Sequence, residues 1–215
     1  PLLRAELNEF GTVEGFRNGV VNMLLKRYLG STRYVTRATD AEELAKFDAL
    51  HELFVKYADM YGLDDLLLMA QGYQESRLDQ SVRSRAGAVG IMQILPSTAA
   101  YEHVQIEAVS SDPKQNIHAA SKYMRYLLDA YLADPELDPT NRLLLGLAAY
   151  NAGPANMKRM RARAGKMGLD PNIWFNNVEH AAAKLIGRET VQYVSNIYKY
   201  YLAYRLVEAQ RSDRQ

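Results

Sequence analysis

The chain lacks cysteine: none of its 215 residues is of that type. This excludes a disulfide-stapled scaffold, a thiolate zinc site and a cysteine nucleophile. A chain of this length buries enough apolar surface to fold without a disulfide or a metal. The compartment stays open, because cysteine-free chains persist in oxidising and in reducing environments.

Long apolar runs and a large excess of one charge are also missing. No run reaches the ~18 residues that span a bilayer, and no signal peptide is visible. Because the first residue is Pro1 rather than methionine, we allow for a removed leader or an upstream domain. The formal net charge of +1 argues against nucleic acid as a partner. One basic cluster indicates either a solvated helix face or contact with an anionic polymer: Lys158, Arg159, Arg161, Arg163 and Lys166.

Motifs for metal, serine or phosphate chemistry are absent from the sequence. No second histidine follows His51-Glu52 at the spacing of a zinc protease. No Gly-x-Ser-x-Gly elbow occurs, and Gly87–Gly90 lacks the lysine of a phosphate loop. We therefore expect neither a metal nor a cofactor.

Apolar residues instead recur at the helical period along most of the chain, and no convincing strand is present. Asp64 or Asp65 is placed to cap a helix that ends near Glu75. Pro96 and Pro113 are suited to the first turn of a short and a longer helix. The pattern also predicts helices over 44–61, 141–150 and 189–208, another helix from 153–154, a structured loop over 79–93 and a connection over 133–140. The sequence predicts a mainly α fold.

Three regions differ in character. Residues 1–40 are too short for a core of their own and are expected to form an N-terminal attachment. Residues 41–208 are expected to form the main domain, and residues 209–215 a polar tail. Within the main domain, tyrosines at helical spacing are expected to pack with their rings inside and their hydroxyls at the rim: Tyr193, Tyr200, Tyr201 and Tyr204.

The region that indicates chemistry surrounds Glu75. This glutamate ends an apolar helix and stands directly before a loop that contains glycines. Apolar surroundings disfavour a charged carboxylate and raise its pKa. A carboxylic acid with a raised pKa can protonate a leaving oxygen at neutral pH, which is the general-acid step of glycosidic cleavage. Glu75 alone is a weak signal, because most glutamates at helix ends are solvated surface residues.

Three further segments strengthen this interpretation. Residues 84–94 combine glycines, which permit close backbone approach to a ligand, with Gln93, which offers a donor and acceptors. Residues 148–153 place Tyr150 and Asn151 at a helix end. Residues 189–194 read Glu-Thr-Val-Gln-Tyr-Val and contain Tyr193.

Together these segments resemble the family 1 lytic transglycosylases, whose catalytic domain has a goose-lysozyme-like fold. The four family motifs match, in order, Glu75-Ser76, Gly90-Ile91-Met92-Gln93, Ala149-Tyr150-Asn151, and Tyr193 in its Glu-Thr-x-x-Tyr-Val setting. The second motif departs from Gly-Leu-Met-Gln only by a conservative isoleucine. The match covers about residues 45–205. Residues 8–40 are similar, more weakly, to the end of the solute-binding-like domain of membrane-bound lytic murein transglycosylase F.

The resemblance implies a lysozyme-like helical domain with a substrate groove between two lobes. It implies cleavage of the β-1,4 bond between N-acetylmuramic acid and N-acetylglucosamine in peptidoglycan, with 1,6-anhydro ends and no cofactor. Glu75 is expected to be acid and then base. The other implied roles are Ser84 near the N-acetyl group, Met92 and Gln93 along the groove, Tyr150 and Tyr193 as orienting residues, and Asn151 as their support. The implied location is a periplasm, at the outer membrane through a lipidated leader outside this chain, with a possible upstream regulatory domain.

Two other functions fit parts of the same pattern. A muramidase would hydrolyse the bond with two carboxylates, and Asp79 is the only acid soon after Glu75. A glycan-binding module without catalysis would have no need for a buried acid at position 75.

Overall fold

The computed structural model describes residues 38–212. The predicted attachment over 1–40 therefore lies almost wholly outside the described residues, as do the last three residues of the predicted tail. The helices are α1 Ala41–Tyr61, α2 Asp65–Ser76, α3 Pro96–Ala99, α4 Pro113–Tyr131, α5 Pro139–Ala152, α6 Pro154–Lys166, α7 Glu179–Leu185 and α8 Glu189–Ser212. A short π-type turn, Trp174–Val178, precedes α7. Between residues 38 and 212 the only β pairing consists of isolated bridges in the loop after α2.

Helix ends follow from local residue chemistry. Asp64 caps α2, because its carboxylate accepts the backbone N–H of Leu67 at 2.8 Å. Gly62 ends α1 in the left-handed conformation, at φ 59°. Proline opens four helices at the first position, where its missing N–H costs nothing: α3, α4, α5 and α6.

The main hydrophobic core forms around α2. This helix packs against α1 and α8, while α5 packs against α4 and α8. Trp174 and Tyr204 are among the largest fully buried side chains. Tyr193 and Tyr200 are also buried and Tyr201 is half-buried, so the tyrosine rings pack inside as predicted. The hydroxyl of Tyr204 is buried as well, which differs from the expectation that these hydroxyls lie at the rim.

A second, smaller core lies under the loop region that follows α2. It is built from short aliphatic side chains: Val89, Ile94, Ala99, Val104, Val109 and Ala119. Ala119 belongs to α4, so this helix contributes to both cores. The end of α2 thus lies where the large helical lobe meets a small lobe made mostly of loops.

Two parts of the chain differ from the helical pattern expected from sequence. The turn at Trp174–Val178 and helix α7 are additional elements, and Asn176 at φ 59° interrupts the helical backbone there. Helix α8 continues to Ser212, four residues past its predicted end at Glu208 and into the predicted tail. No helix within the described residues is long and apolar enough to cross a membrane.

Candidate active site

Glu75 occupies the last turn of α2, which ends abruptly at a left-handed turn. Arg77 and Leu78 both have positive φ, at 56° and 61°. The N–H of Arg77 donates to the carbonyl of Tyr73 at 2.9 Å and so satisfies one carbonyl of the last turn. Ser76 bonds this turn to residues 91–92, which form one wall of the site. Its hydroxyl donates to the Ile91 carbonyl at 2.8 Å. Glu75 is thereby held at a fixed edge between the two lobes.

The hydroxyl of Tyr193 determines the position of the Glu75 carboxyl. Tyr193, on α8, donates a hydrogen bond of 2.5 Å to Oε1 of Glu75. Gln71 lies one turn before Glu75 on α2 and donates its amide to the same hydroxyl at 3.2 Å. Since the hydroxyl accepts from Gln71, its own hydrogen is free to point at the carboxyl. Three residues from two helices therefore form one hydrogen-bonded row.

The electrostatics of the site favour a protonated carboxyl. Burial raises the pKa of Glu75 from 4.5 to about 7, and the hydrogen bond from Tyr193 opposes part of that increase. Burial and the nearby Glu75 charge both raise the pKa of Tyr193 well above its ordinary value, so its hydroxyl stays protonated. Glu75 can consequently exchange a proton near neutral pH, with a neutral donor beside it.

Asn116, near the start of α4, holds the same wall segment in place. Its side-chain oxygen accepts the N–H of Met92 at 2.8 Å. Its amide donates to the carbonyls of Val89 at 2.8 Å and Val109 at 2.9 Å. Asn116 is fully buried, so these three bonds replace those that water would make. One side chain thus fixes two separate segments of the small lobe.

Two glycines permit the close packing of this wall. A Cβ at Gly72 would stand 3.0 Å from Met92 Sδ, so the glycine lets α2 approach the 91–92 segment. Gly90 has φ 76°, and a Cβ there would lie 2.3 Å from the amide nitrogen of Asn116. Glycine at these two positions therefore allows the wall segment to pack closely against α2 and Asn116.

Comparison with known proteins identifies the family. The family model "Transglycosylase SLT domain" matches residues 52–173, more than half of the chain. The chain belongs to this family. Membrane-bound lytic murein transglycosylase F of Pseudomonas fluorescens Pf-5 is 33% identical over 91% of this chain, which spans 43% of that relative. The protein of the same name from Desulfosudis oleivorans is 31% identical over 93% of this chain and 46% of its own length. The chain thus spans less than half the length of these relatives.

Solved structures agree with the predicted fold class. An inactive mutant of lytic transglycosylase Slt from Pseudomonas aeruginosa is 25% identical with a TM-score of 0.56, covering 74% of this chain and 24% of that one. The 70 kDa soluble lytic transglycosylase of Escherichia coli is 28% identical with the same TM-score of 0.56, covering 73% of this chain and 24% of that one. The prediction of a mainly α, lysozyme-like domain is confirmed.

In this SLT domain, Tyr150 and Asn151 at the end of α5 bond to the wall segment and to α8. The hydroxyl of Tyr150 donates to the Met92 carbonyl at 2.9 Å, so it bonds the wall rather than the Glu75 carboxyl. Burial and the Glu75 charge nevertheless raise the pKa of Tyr150 well above its ordinary value. Asn151 accepts the hydroxyl of Thr190 at 2.7 Å and so ties the end of α5 to the start of α8.

Three predicted site residues lie in the loop between α2 and α3, and they differ in exposure. Met92 is fully buried, which differs from the expectation that its side chain lines the groove; it packs under the wall because Gly72 leaves room for it. Gln93 donates its amide to the carbonyls of Gly90 at 2.8 Å and Val82 at 3.2 Å. Ser84 is exposed and accepts the N–H of Ala88 at 3.0 Å, which closes a local turn.

The carboxylate of Asp79 is bonded within its own loop. Its carboxylate accepts the hydroxyl of Ser81 at 2.7 Å and the N–H of Ser81 at 2.8 Å, and these bonds lower its pKa. It lines a separate cavity of about 450 Å³ with Lys46 and Arg77, to which Glu75 does not contribute. No carboxylate among residues 38–212 contributes to the raised pKa of Glu75. In the described part of the chain, no cluster of His, Asp and Glu could hold a metal ion.

Gln71 and Asn116 were not predicted from the sequence, although each carries a detectable signal. Both are polar residues on otherwise apolar helix faces, and both are fully buried. Buried amides on such faces need partners, so their position alone suggests a structural or functional contact. Gln71 bonds Tyr193, which is 122 residues away, and Asn116 bonds Met92, which is 24 residues away. Because these separations are long, the sequence alone does not indicate the pairs.

Proposed function

We propose that this chain is the catalytic domain of a peptidoglycan lytic transglycosylase. The observation that carries the proposal is the half-buried carboxyl of Glu75, with a pKa of about 7 and a hydrogen bond from Tyr193. One group that is half protonated near neutral pH can serve first as an acid and then as a base. Membership of the SLT family and the lytic murein transglycosylase names of the relatives support this assignment.

The proposed reaction cleaves the β-1,4 bond between N-acetylmuramic acid and N-acetylglucosamine. Protonated Glu75 gives its proton to the glycosidic oxygen, and the bond to the muramic acid anomeric carbon breaks. Positive charge then develops at that carbon, and the carbonyl oxygen of the substrate's N-acetyl group relieves it by bonding to the carbon, as in other substrate-assisted glycosidases. The hydrogen bond from Tyr193 stabilises the carboxylate that remains on the enzyme.

The second half of the reaction uses the same carboxylate. Ionised Glu75 removes the proton from the C6 hydroxyl of the muramic acid. The C6 oxygen attacks the anomeric carbon, and the bond from that carbon to the N-acetyl oxygen breaks. A 1,6-anhydro ring forms, and Glu75 is protonated again. The intramolecular attack benefits from proximity, which is worth up to ~7–11 kcal/mol in well-oriented cases. We assign Tyr150, Asn151, Met92 and Gln93 to the support of the groove and Ser84 to a contact with the N-acetyl group.

The main alternative is hydrolysis by a muramidase. It requires a second carboxylate beside the bond in the usual scheme, and Asp79 is exposed and lines a different cavity. Mass analysis of products from purified peptidoglycan separates the reactions. Anhydro products are one water lighter than hydrolysed ones and resist borohydride reduction. Mainly reducible muramic acid ends would overturn the proposal, and release of neither product would favour a glycan-binding module.

We further propose a periplasmic location at the outer membrane for the full-length protein. The relatives are named membrane-bound, and peptidoglycan is the substrate assigned above. The attachment would lie outside the described residues, among which no helix could span a membrane. The partners proposed are glycan strands and muropeptides, with no role for nucleic acid. Fractionation of cells that express the full-length protein, followed by detection in outer and inner membranes, tests this location.

A further inference from the structure

The basic cluster found in the sequence lies on α6, and most of its side chains are exposed. Arg161 is the exception, because its guanidinium donates to the Pro171 carbonyl at 3.0 Å and to the Asp134 carboxylate at 3.2 Å. The helix contains no aspartate or glutamate. The remaining cations share its solvent-facing side and form a cationic stripe: Lys158, Arg159, Arg163 and Lys166.

The charge of the cationic stripe is not balanced within the described part of the chain. None of its four side chains forms an ion pair with a residue between 38 and 212. Arg159 and Arg163 are four residues apart, a spacing at which like charges destabilise a helix. The helix dipole favours Arg163 and Lys166 in the last turn, but it offers no such benefit to Lys158 and Arg159. An anionic partner would remove this repulsion.

The cationic stripe starts close to the candidate active site. Helix α6 begins three residues after Asn151 of the predicted motif. The Nζ of Lys158 lies 4.8 Å from the ring centroid of Tyr131, the last residue of α4. Lys158 and Lys166 are eight positions apart, so at 1.5 Å per residue the stripe is about 12 Å long. It therefore runs along α6, away from the end of the helix that follows the motif.

We propose that the cationic stripe binds the free carboxylates of the peptide stem that branches from the glycan strand. The proposal rests on the proposed function, because it assigns a second part of the same substrate. The stem is attached to muramic acid, the sugar whose bond is cleaved in the proposed reaction. Four extended residues span at most about 13–14 Å, which matches the stripe length of about 12 Å. Arginine and lysine bind carboxylates through strong, charge-assisted hydrogen bonds.

Two other polyanions fit the cationic stripe less well. A basic helix that binds a lipid surface inserts large apolar side chains into it. The side chains between these cations are instead Ala155 and Ala162, and the larger Met157 and Met160 of α6 are buried in the core. Nucleic acid requires a broader positive field than a chain of net charge +1 provides. The stem, by contrast, is brought to α6 by the reaction proposed at Glu75.

The test measures binding without turnover, by calorimetry on the chain that carries Glu75→Gln. Peptidoglycan tetrasaccharides are compared in three forms: with unmodified stems, with stems whose carboxylates are amidated, and without stems. Unmodified stems should bind most tightly, and amidated stems no better than the stem-free sugar. Adding Arg163→Gln and Lys166→Gln should weaken the binding of unmodified stems about three- to tenfold, the value of two exposed ion pairs, and leave the other two forms unchanged. Adding Lys158→Gln and Arg159→Gln instead should have the same effect, and this pair supplies the test if the first does not fold.

Lys56→Gln with Lys114→Gln is the matched control, because it removes two exposed cations from α1 and α4. It should bind every form as the Glu75→Gln chain does. Unchanged affinity for unmodified stems after Arg163→Gln and Lys166→Gln would overturn the proposal, as would an equal loss for the stem-free sugar. A loss seen with phosphatidylglycerol vesicles and not with stems would assign the stripe to a membrane instead. Failure of the proposed function would appear separately, as absence of cleavage by the unmodified chain.

Discussion

Glu75→Gln should abolish cleavage and, at the same time, stabilise the fold at alkaline pH. The structure buries a carboxyl whose pKa rises from 4.5 to about 7. Glutamine is nearly isosteric and can still accept the hydrogen bond from Tyr193, but it neither transfers a proton nor ionises. The variant therefore loses the acid needed for cleavage and also loses the destabilising buried charge. The effect on activity and the effect on stability should depend on pH in different ways.

The sign of the stability change follows from the two pKa values. Below pH 4.5 the carboxyl is protonated in the folded and the unfolded chain, so parent and variant should be similarly stable. Between pH 4.5 and 7 the unfolded chain releases its proton first, and the parent loses stability as the pH rises. Above pH 7 both states are ionised and the loss is complete. The advantage of Glu75→Gln should thus develop over this window.

The size of the advantage can be worked from the same values. One pKa unit corresponds to about 1.36 kcal/mol, so a change from 4.5 to about 7 sets an upper bound of about 3 kcal/mol. For a chain of this size, 1 kcal/mol moves the melting temperature by about 2–4 °C. Glu75→Gln should accordingly melt up to about 6–12 °C above the parent at pH 8, and close to it at pH 4.

Scanning calorimetry at pH 4 and pH 8, with muropeptide release measured on the same preparations, tests both effects. Asp79→Asn is the control, because the native pKa of Asp79 is lowered and its carboxylate should stabilise rather than destabilise the fold at pH 8. That variant should gain no stability and should keep its cleavage activity. If the difference in melting temperature between Glu75→Gln and the parent were the same at pH 4 and pH 8, the reasoning would be refuted.

Three further predictions concern the walls of the site. Tyr193→Phe removes a bond to the carboxylate form, so the pKa of Glu75 should rise and the alkaline limb of the kcat/KM profile should move upward; an unmoved limb would contradict this. Asn116→Leu leaves three buried backbone groups unpaired and should cost at least about 3 kcal/mol in urea unfolding, with loss of amide-exchange protection in the small lobe; unchanged protection would count against it. Gly90→Ala should lose more stability and activity than Gly87→Ala, because both have positive φ but only Gly90 lies against Asn116; equal losses would show that backbone strain alone decides.

Much of the helical framework could be predicted because the helix ends are determined by residues close to them in sequence. Gly62, Asp64 and the prolines that open helices act within one turn of the chain, and the structure places helix ends at those residues. The turn at 174–178 could not be predicted in this way. Its left-handed Asn176 interrupts the helical period, and the N–H of Asn176 donates to the carboxylate of Glu179, at the start of the following helix, at 2.9 Å.

The candidate site could be predicted only in part. Glu75 was recognisable because its helix and the glycine-bearing loop are adjacent in sequence. The contact with Tyr193 joins residues 118 positions apart. The family motif singles out this tyrosine, but the helical period of α8 alone does not show that its hydroxyl reaches Glu75. The same limit applies to Met92, whose complete burial depends on the space above Gly72.

The row formed by Gln71, Tyr193 and Glu75 makes the two oxygens of one carboxyl chemically different. Because the phenol accepts from Gln71 and donates to Oε1, the acidic proton belongs on Oε2, where no neighbouring hydrogen opposes it. The acid and base steps proposed for Glu75 would then use the same oxygen. A symmetric functional group thus becomes a directional one, and the direction is set by a glutamine that has no need to touch the substrate.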